Sequence, residues 1–401
     1  MQTPREHARI GGRVLLTGGT GYLGALLAAQ MLHDGWAEHL TVPVRRACAP
    51  TDVPAELQRE WHALGGDPAA LSTQVTALNW AGAETATTES LTTMLRESNT
   101  ETVVHCAGCL DYFNSEALRA LNVDFTTRLA VAAERAGVRC FVFISTAYAA
   151  GYSGAVVPEA ALGEPANDPT DYTLTKRAAE HAVAACGLPY LIVRPSIVVG
   201  SSVDGRYSGK RYGLYQQWMG VERLLTDRYH AELHTVATAQ GLNLLHQDSF
   251  QAAMQSVLRW VPDNSHVNLV AGDRTAPSMQ DLWRLLCDVT RPHTVVFHPS
   301  VDGLDLRSLN VRQRAYLSFA QTNLEIGAYG WQFERGWLSV LAQQRGLAFA
   351  DTSVATIGVC QSRFIASSTA LQRYLERFAD QFAAQVRYVE ARDVEPVATA
   401  G

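Results

Sequence analysis

The stretch RVLLTGGTGYLG, Arg13 to Gly24, passes from an apolar, β-rich run into a cluster of glycines. A helical pattern follows to about Leu32, so the segment reads as strand, tight turn and helix. Gly19, Gly21 and Gly24 form G-x-G-x-x-G, and T-G-x-x-G-x-x-G begins at Thr17. Glycines alone mark a turn. Set between a strand and a helix, they mark a dinucleotide site, because residues without bulk let the backbone approach a pyrophosphate and the first free N–H groups of the helix point at it. Contacts are expected from Gly18, Thr20, Gly21, Tyr22, Leu23 and Gly24.

Outward from this turn, short apolar runs alternate with longer amphipathic segments, the signature of a parallel sheet built from βαβ units. HLTVPV (His39–Val44) is a second strand, although Pro43 would cost a central strand an N–H donor. It ends in Val44, Arg45 and Arg46, where an NAD site would present an acid to the ribose 2′-hydroxyl. Two guanidinium groups suit a 2′-phosphate instead, so the expected cofactor is NADPH.

A third strand is expected near Thr73 to Leu78, a fourth at TVVHCAG (Thr102–Gly108), a fifth at CFVFIST (Cys140–Thr146) and a sixth, with its exit, at YLIVRPSIVVG (Tyr190–Gly200). Helices are expected over Ser115 to Ala136, ended by Gly137, and over Thr170 to Cys186. The fold class is α/β: a Rossmann-like doubly wound parallel sheet with a smaller, mostly helical C-terminal substrate region. The expected division is a tail at 1–11, a cofactor domain at 12–200 with returning elements at about 242–290, and a substrate region at 201–241 and 291–401. The returning elements include a helix from Ser249 to Trp260 and a strand at SHVNLVAG (Ser265–Gly272). Near the end, Leu371, Leu375, Phe378, Phe382 and Val386 make one apolar stripe at helical spacing, read as a core face.

The bulk properties exclude several partners. The chain has 401 residues, of which 47% are hydrophobic, and a net charge of -6. An acidic balance with no basic run argues against nucleic acid or an anionic membrane surface. No stretch approaches the roughly eighteen uninterrupted apolar residues that a spanning helix needs. Seven cysteines, an odd number, behind an N-terminus with no apolar core point to a reducing, cytoplasmic location. Cys106 and Cys109 in HCAGC have zinc-knuckle spacing, but no second ligand pair accompanies them, so they read as small residues at the end of a buried strand.

DYTLTK, Asp171 to Lys176, sets a phenol and an ammonium four residues apart, on one helix face. Together with T-G-x-x-G-x-x-G and the S-T-A-Y at Ser145–Tyr148, this Y-x-x-x-K resembles the extended short-chain dehydrogenase/reductase family. LDYF, LNVDFTTRL, FISTAYAAG, YTLTKRAAE, RPSIVVGS and LNLLHQDSF are similar to the NADPH-dependent thioester reductases and fatty acyl-CoA reductases within it, over about Arg13 to Val289. The resemblance implies Thr146, Tyr172 and Lys176 as catalytic residues. It also implies that Asn79, Ala107, Gly108, Asn122, Tyr172, Lys176 and the segment Pro195, Ser196, Ile197 and Val198 meet the cofactor. Asn79 departs from the pattern, because an acid is usual at that point.

A tyrosine with a pKa of about 10 handles protons poorly near neutrality unless a cation favours its phenolate. On the implied mechanism Tyr172 and Thr146 converge on a carbonyl oxygen while Lys176 holds the ribose. The implied substrate is an acyl thioester, on CoA or on a separate carrier protein, reduced to an aldehyde or an alcohol. A ketone reductase or a sugar-nucleotide epimerase or dehydratase would use the same scaffold. Epimerases retain NAD, against which Arg45 and Arg46 count; a non-catalytic NADP sensor would lack the tyrosine or the lysine. Tyr207, Tyr212, Tyr215 and Trp218, after the sixth strand, fit either an acyl cleft or a helical core face.

Overall fold

The computed structural model describes residues 12–45, 49–80, 82, 85–209, 212–272, 275–350 and 352–391. The expected tail at 1–11, Arg46 and residues 392–401 lie outside the described residues. The strands, in chain order, are β1 (Arg13–Thr17), β2 (His39–Val44), β3 (Val75–Asn79), β4 (Thr102–His105), β5 (Cys140–Ile144), β6 (Tyr190–Pro195), β7 (Ile197–Val199), β8 (Glu232–Val236), β9 (Leu244–His246), β10 (Ser265–Leu269), β11 (Thr294–His298) and β12 (Arg387–Glu390). Seven of them form one sheet in the order β10-β6-β5-β4-β1-β2-β3, with every pair parallel.

From β1 the chain steps outward through β2 to β3, then returns to place β4 on the other side of β1. This reversal opens a crevice at the carboxyl ends of β1 and β4, where sheets of this kind bind ligands. Alternate side chains fill both faces: Leu16, Val104, Val142 and Val193 lie on one, and Leu15, Val103, Phe141, Phe143 and Ile192 on the other. Burial on both sides explains why β5 is a continuous apolar run and why all four residues of β4, Thr102 and His105 included, are buried. Pro43 is tolerated because the β1–β2 register ends at Leu15 opposite Thr41, so the missing N–H falls beyond that ladder.

Three local expectations shift. The helix Pro68–Gln74 occupies the expected start of the third strand, which begins at Val75. The single helix expected over 115–136 is three pieces: Ser115–Leu118, a π-helical turn Arg119–Phe125 and Thr126–Ala136, closed by Gly137 at φ +78. The sixth strand breaks at Ser196, and its exit, β7, pairs with β9 instead of continuing in the main sheet.

The second region is helical around a small sheet that the sequence pattern did not reveal. Its strands run β12-β11-β8, all parallel, and each is only four or five residues long. The Leu371 stripe packs on this region's core as expected, but its helix ends at Phe378, and Phe382 and Val386 reach the core from beyond it. No helix among the described residues is long and apolar enough to cross a membrane.

Candidate active site

The glycine turn lies against the loop that leaves β4. Gly18 takes φ +73, and a Cβ there would stand 2.6 Å from the Ala107 amide nitrogen. A Cβ on Gly24 would collide with the Gly18 carbonyl oxygen, so the helix Tyr22–His33 packs on the turn with no room to spare. Gly21 is its N-cap and no side chain caps it, which leaves the first N–H groups facing the crevice. This cradle fits the pyrophosphate of a nicotinamide dinucleotide. Arg45 is exposed just past β2, and Asn79 is exposed at the end of β3; the Trp80 N–H donates to the Val44 carbonyl at 2.7 Å, tying the two strand ends together.

A capping box between Thr170 and Thr173 starts the helix Asp171–Ala184 and places Tyr172 in its first turn. Tyr172 is partly buried, and its ring lies 5.6 Å from that of Tyr112. Burial, then the Tyr112 and Cys106 neighbours, raise its phenol above the ordinary value of 10, the opposite of the lowering expected from the adjacent Lys176, because loss of hydration outweighs that cation. Lys176 is 4% exposed. Its Nζ donates to the Ile144 carbonyl at 2.7 Å and sits 4.1 Å from the centre of the Phe143 ring. Burial pulls the ammonium down to about 8, against the pull of Cys106 and Glu180.

Ser145 and Thr146 part company. The Ser145 N–H donates to Val193 at 2.7 Å and its hydroxyl donates to buried Glu180, so Ser145 is spent on the scaffold. Thr146 caps the short turn Ala147–Ala150 by accepting from the Tyr148 N–H at 3.4 Å, which leaves its hydroxyl proton to give.

The family described as male sterility protein matches residues 16–254, more than half of the chain. The chain belongs to the male sterility protein family. By fold this family member is an extended short-chain dehydrogenase/reductase. It is similar to the terminal R domain from the myxalamid PKS-NRPS biosynthetic pathway, with a TM-score of 0.69 and 18% identity over 91% of this chain and 93% of that one. It is similar also to a thiolation-reductase di-domain from an archaeal non-ribosomal peptide synthetase, with a TM-score of 0.68 and 15% identity over 94% of this chain and 77% of that one. The Bordetella bronchiseptica enzyme WbmG, solved with NAD and UDP, gives a TM-score of 0.57 and 18% identity over 88% and 94%. No curated protein matches the chain.

Several expected residues of this male sterility family member take positions that the sequence did not specify. Asn122 is 1% exposed in the π-helical turn; its Oδ1 accepts from the Cys109 N–H at 2.7 Å, and its Nδ2 donates to the Cys109 carbonyl at 3.2 Å and to Thr175 Oγ1 at 3.1 Å. It braces the loop after β4 against the helix Asp171–Ala184. The Tyr22 hydroxyl donates to the Val199 carbonyl at 3.0 Å, so its side chain is tied to β7 and only its backbone is left for a ligand. Ser196 keeps a buried hydroxyl with no protein partner among the described residues, in the segment expected to meet the nicotinamide. Beside it, Pro195 is buried, and Ile197 and Val198 are partly buried.

The four aromatic candidates divide. Trp218 and Tyr215 are core: their rings lie 5.0 Å apart, and Trp218 also packs on Phe364. Tyr207 stacks on Tyr215 at 3.6 Å and meets Tyr22 at 4.4 Å. Tyr212 is left exposed. The wall beyond Thr146 comes from a segment to which the sequence assigned no role: Tyr148 packs on Trp331 at 5.0 Å, Tyr152 on Tyr329 at 4.7 Å, and Val157 bridges to Phe333. A cavity of about 850 Å³ opens beside Val44, Trp61 and Leu71, and Tyr172 is not among the residues that line it.

His105 is neither free nor a metal ligand. It is fully buried between Thr17 Oγ1 at 2.6 Å and Thr126 Oγ1 at 2.8 Å, and burial pushes its pKa down to about 3. No cluster suited to a metal ion occurs among the described residues. Sequence reasoning missed Tyr112 and Glu180, and it read Cys106 only as a small residue at a strand end, whereas Cys106 neighbours both Tyr172 and Lys176. Tyr112 leaves no periodic signal, but Glu180 does. The latter was within reach, since Tyr172, Lys176 and Glu180 repeat at every fourth position.

Proposed function

We propose that this protein reduces an acyl thioester, on CoA or on a carrier protein, with NADPH as the electron source. The observation that carries the reading is the anchoring of Lys176 to Ile144, which sets the Tyr172 helix along the end of β5 beside Thr146, at the crevice where the uncapped glycine turn opens. The likeness to a thiolation-reductase di-domain over 94% of the chain supports a thioester as the reactant. Arg45, exposed at the end of β2, supports the 2′-phosphate of NADPH.

When bound, the dinucleotide supplies a hydride to the carbonyl carbon. Thr146 and Tyr172 donate to the carbonyl oxygen as negative charge develops there, and Tyr172 delivers its proton. The phenol acts from its protonated form, because its burial opposes the phenolate that the Lys176 ammonium was expected to favour. The resulting hemithioacetal expels the thiol and leaves an aldehyde. Lys176, with N–H groups beyond the one given to Ile144, would hold the ribose and orient the donor.

The test is consumption of NADPH and of NADH against a panel of acyl-CoA and acyl-carrier thioesters, ketones and UDP-sugars, with products identified by mass. Thioester-dependent oxidation of NADPH with aldehyde or alcohol formed is the expected result. Turnover of ketones alone, or epimerisation without net oxidation, would refute it.

A further inference from the structure

One buried carboxylate adjoins the catalytic groups without being one of them. Glu180 is 1% exposed and stands one helical turn beyond Lys176 and two beyond Tyr172, on the same face. It accepts from the hydroxyl of Ser145, the residue before Thr146. Arg194 on β6, itself fully buried, covers both carboxylate oxygens: Nε lies 3.0 and 3.1 Å from them, and Nη2 lies 2.7 Å from Oε2. The same guanidinium donates to the carbonyls of Pro158 at 2.9 Å and Ala160 at 2.8 Å, in the loop that runs from the Thr146 turn back to the catalytic helix.

Lys176 grips the peptide next door, at Ile144. The catalytic helix therefore holds the end of β5 at two consecutive residues, Ile144 and Ser145, from two consecutive turns. Thr146 follows immediately. Stability alone is a weak reason for an ion pair this deep, since apolar replacements of similar volume are often as stable or more so. A positional task accounts for it better.

Resting on the thioester-reductase reading, we propose that Glu180 is a positioning residue for that reaction: clamped by Arg194, it fixes Ser145 and thereby the Thr146 hydroxyl beside Tyr172, and it supplies the negative charge facing the Lys176 ammonium. The groups that face Lys176 are His105 on β4, Cys106 in the loop after it, and Tyr172 and Glu180 on its own helix. His105 is held neutral and burial raises the Cys106 thiol to about 11, so the charge that faces Lys176 from this set is the Glu180 carboxylate, ion-paired to Arg194. Its charge props up an ammonium that burial lowers to about 8. Removing that charge lowers the ammonium further, and activity that needs charged Lys176 is then lost at a lower pH.

Thioester turnover by the wild type and its loss in Tyr172→Phe establish the reading first, so that its failure is separate from failure of the proposal. Ser145→Ala, which keeps the ion pair, is expected to lower kcat about tenfold with KM for NADPH unchanged, as a slight misplacement of Thr146 would. Glu180→Gln is expected to lower kcat as well and to move the alkaline limb of kcat/KM for NADPH down by about half a pH unit or more. Should unpaired Arg194 prevent Glu180→Gln from folding, Glu180→Met combined with Arg194→Met removes both charges, and a smaller downward displacement of the limb is expected, because the lost guanidinium charge offsets part of the lost carboxylate charge. Ser145→Ala with kcat within about twofold of wild type overturns the positioning of Thr146. A limb that stays in place in whichever Glu180 variant folds overturns the electrostatic role. A fall in kcat matched by lost NADPH binding, with the limb unmoved, makes Glu180 a fold element only and overturns the proposal.

Discussion

Replacing Lys176 by methionine should leave the protein about as stable as wild type at pH 7 and less stable than wild type above pH 9, while abolishing turnover. The ammonium is 4% exposed, and burial brings its pKa from 10.5 to about 8. Each tenfold change in proton affinity is worth about 1.36 kcal/mol, so at pH 7 the folded chain bears about 3 kcal/mol for keeping this group charged. Methionine fills similar space without that penalty, but it strands the Ile144 carbonyl at a cost of about 1–3 kcal/mol. At pH 7 the two effects nearly cancel. The sign then follows from the protons bound: between pH 8 and 10.5 the unfolded chain holds more than the folded one, so wild-type stability rises with pH relative to the variant. At pH 9.5 the wild type should have gained about 2 kcal/mol on Lys176→Met. Urea unfolding of both proteins without cofactor, followed by tryptophan fluorescence at pH 7, 8.5 and 9.5, measures the difference, and the other titrating groups cancel between the two. A gap that is the same at all three pH values would show that Lys176 is not a buried, depressed ammonium, and the account of how it is tuned would fall.

Tyr172→Phe should bind NADPH as the wild type does and lose turnover roughly a thousandfold; near-normal activity in steady-state assays would remove the proton donor from the mechanism. Arg45→Ala should raise KM for NADPH about tenfold or more and leave that for NADH nearly unchanged; equal effects on both would refute the 2′-phosphate contact. Gly24→Ala, whose methyl would meet the Gly18 carbonyl, should cost about 2 kcal/mol or more and abolish dinucleotide binding, whereas Gly163→Ala, with nothing within 4 Å, should melt like wild type. Melting curves with and without NADPH distinguish the two, and a harmless Gly24→Ala would contradict the close packing of the turn.

Much of the fold was legible because its signals are local. The strand, glycine turn and helix of Arg13–Gly24 fit within a dozen residues, and burial on both faces writes itself into β5 as an unbroken apolar run. Helical spacing alone put Tyr172 and Lys176 on one face. The small sheet was not legible: β8, β11 and β12 are short, and β8 pairs with a strand some sixty residues away. Nor was the split fate of the aromatics. Tyr212 and Trp218 sit on neighbouring turns of sequence, yet one is exposed and the other is 3% exposed.

The sequence by itself determined which residue types stand at which helical or strand positions, and therefore the sheet, the glycine cradle and the Thr146, Tyr172 and Lys176 candidates. Tertiary structure alone decided what those residues do to one another. It gave the Ser145 hydroxyl to Glu180 and made Thr146 an acceptor for the Tyr148 N–H, sent the Lys176 ammonium to Ile144, and brought Tyr329 and Trp331 against the loop after β5. The physical reason is that periodicity specifies the face a side chain presents, whereas its hydrogen-bond partner, its burial and its proton affinity depend on which distant segment covers that face.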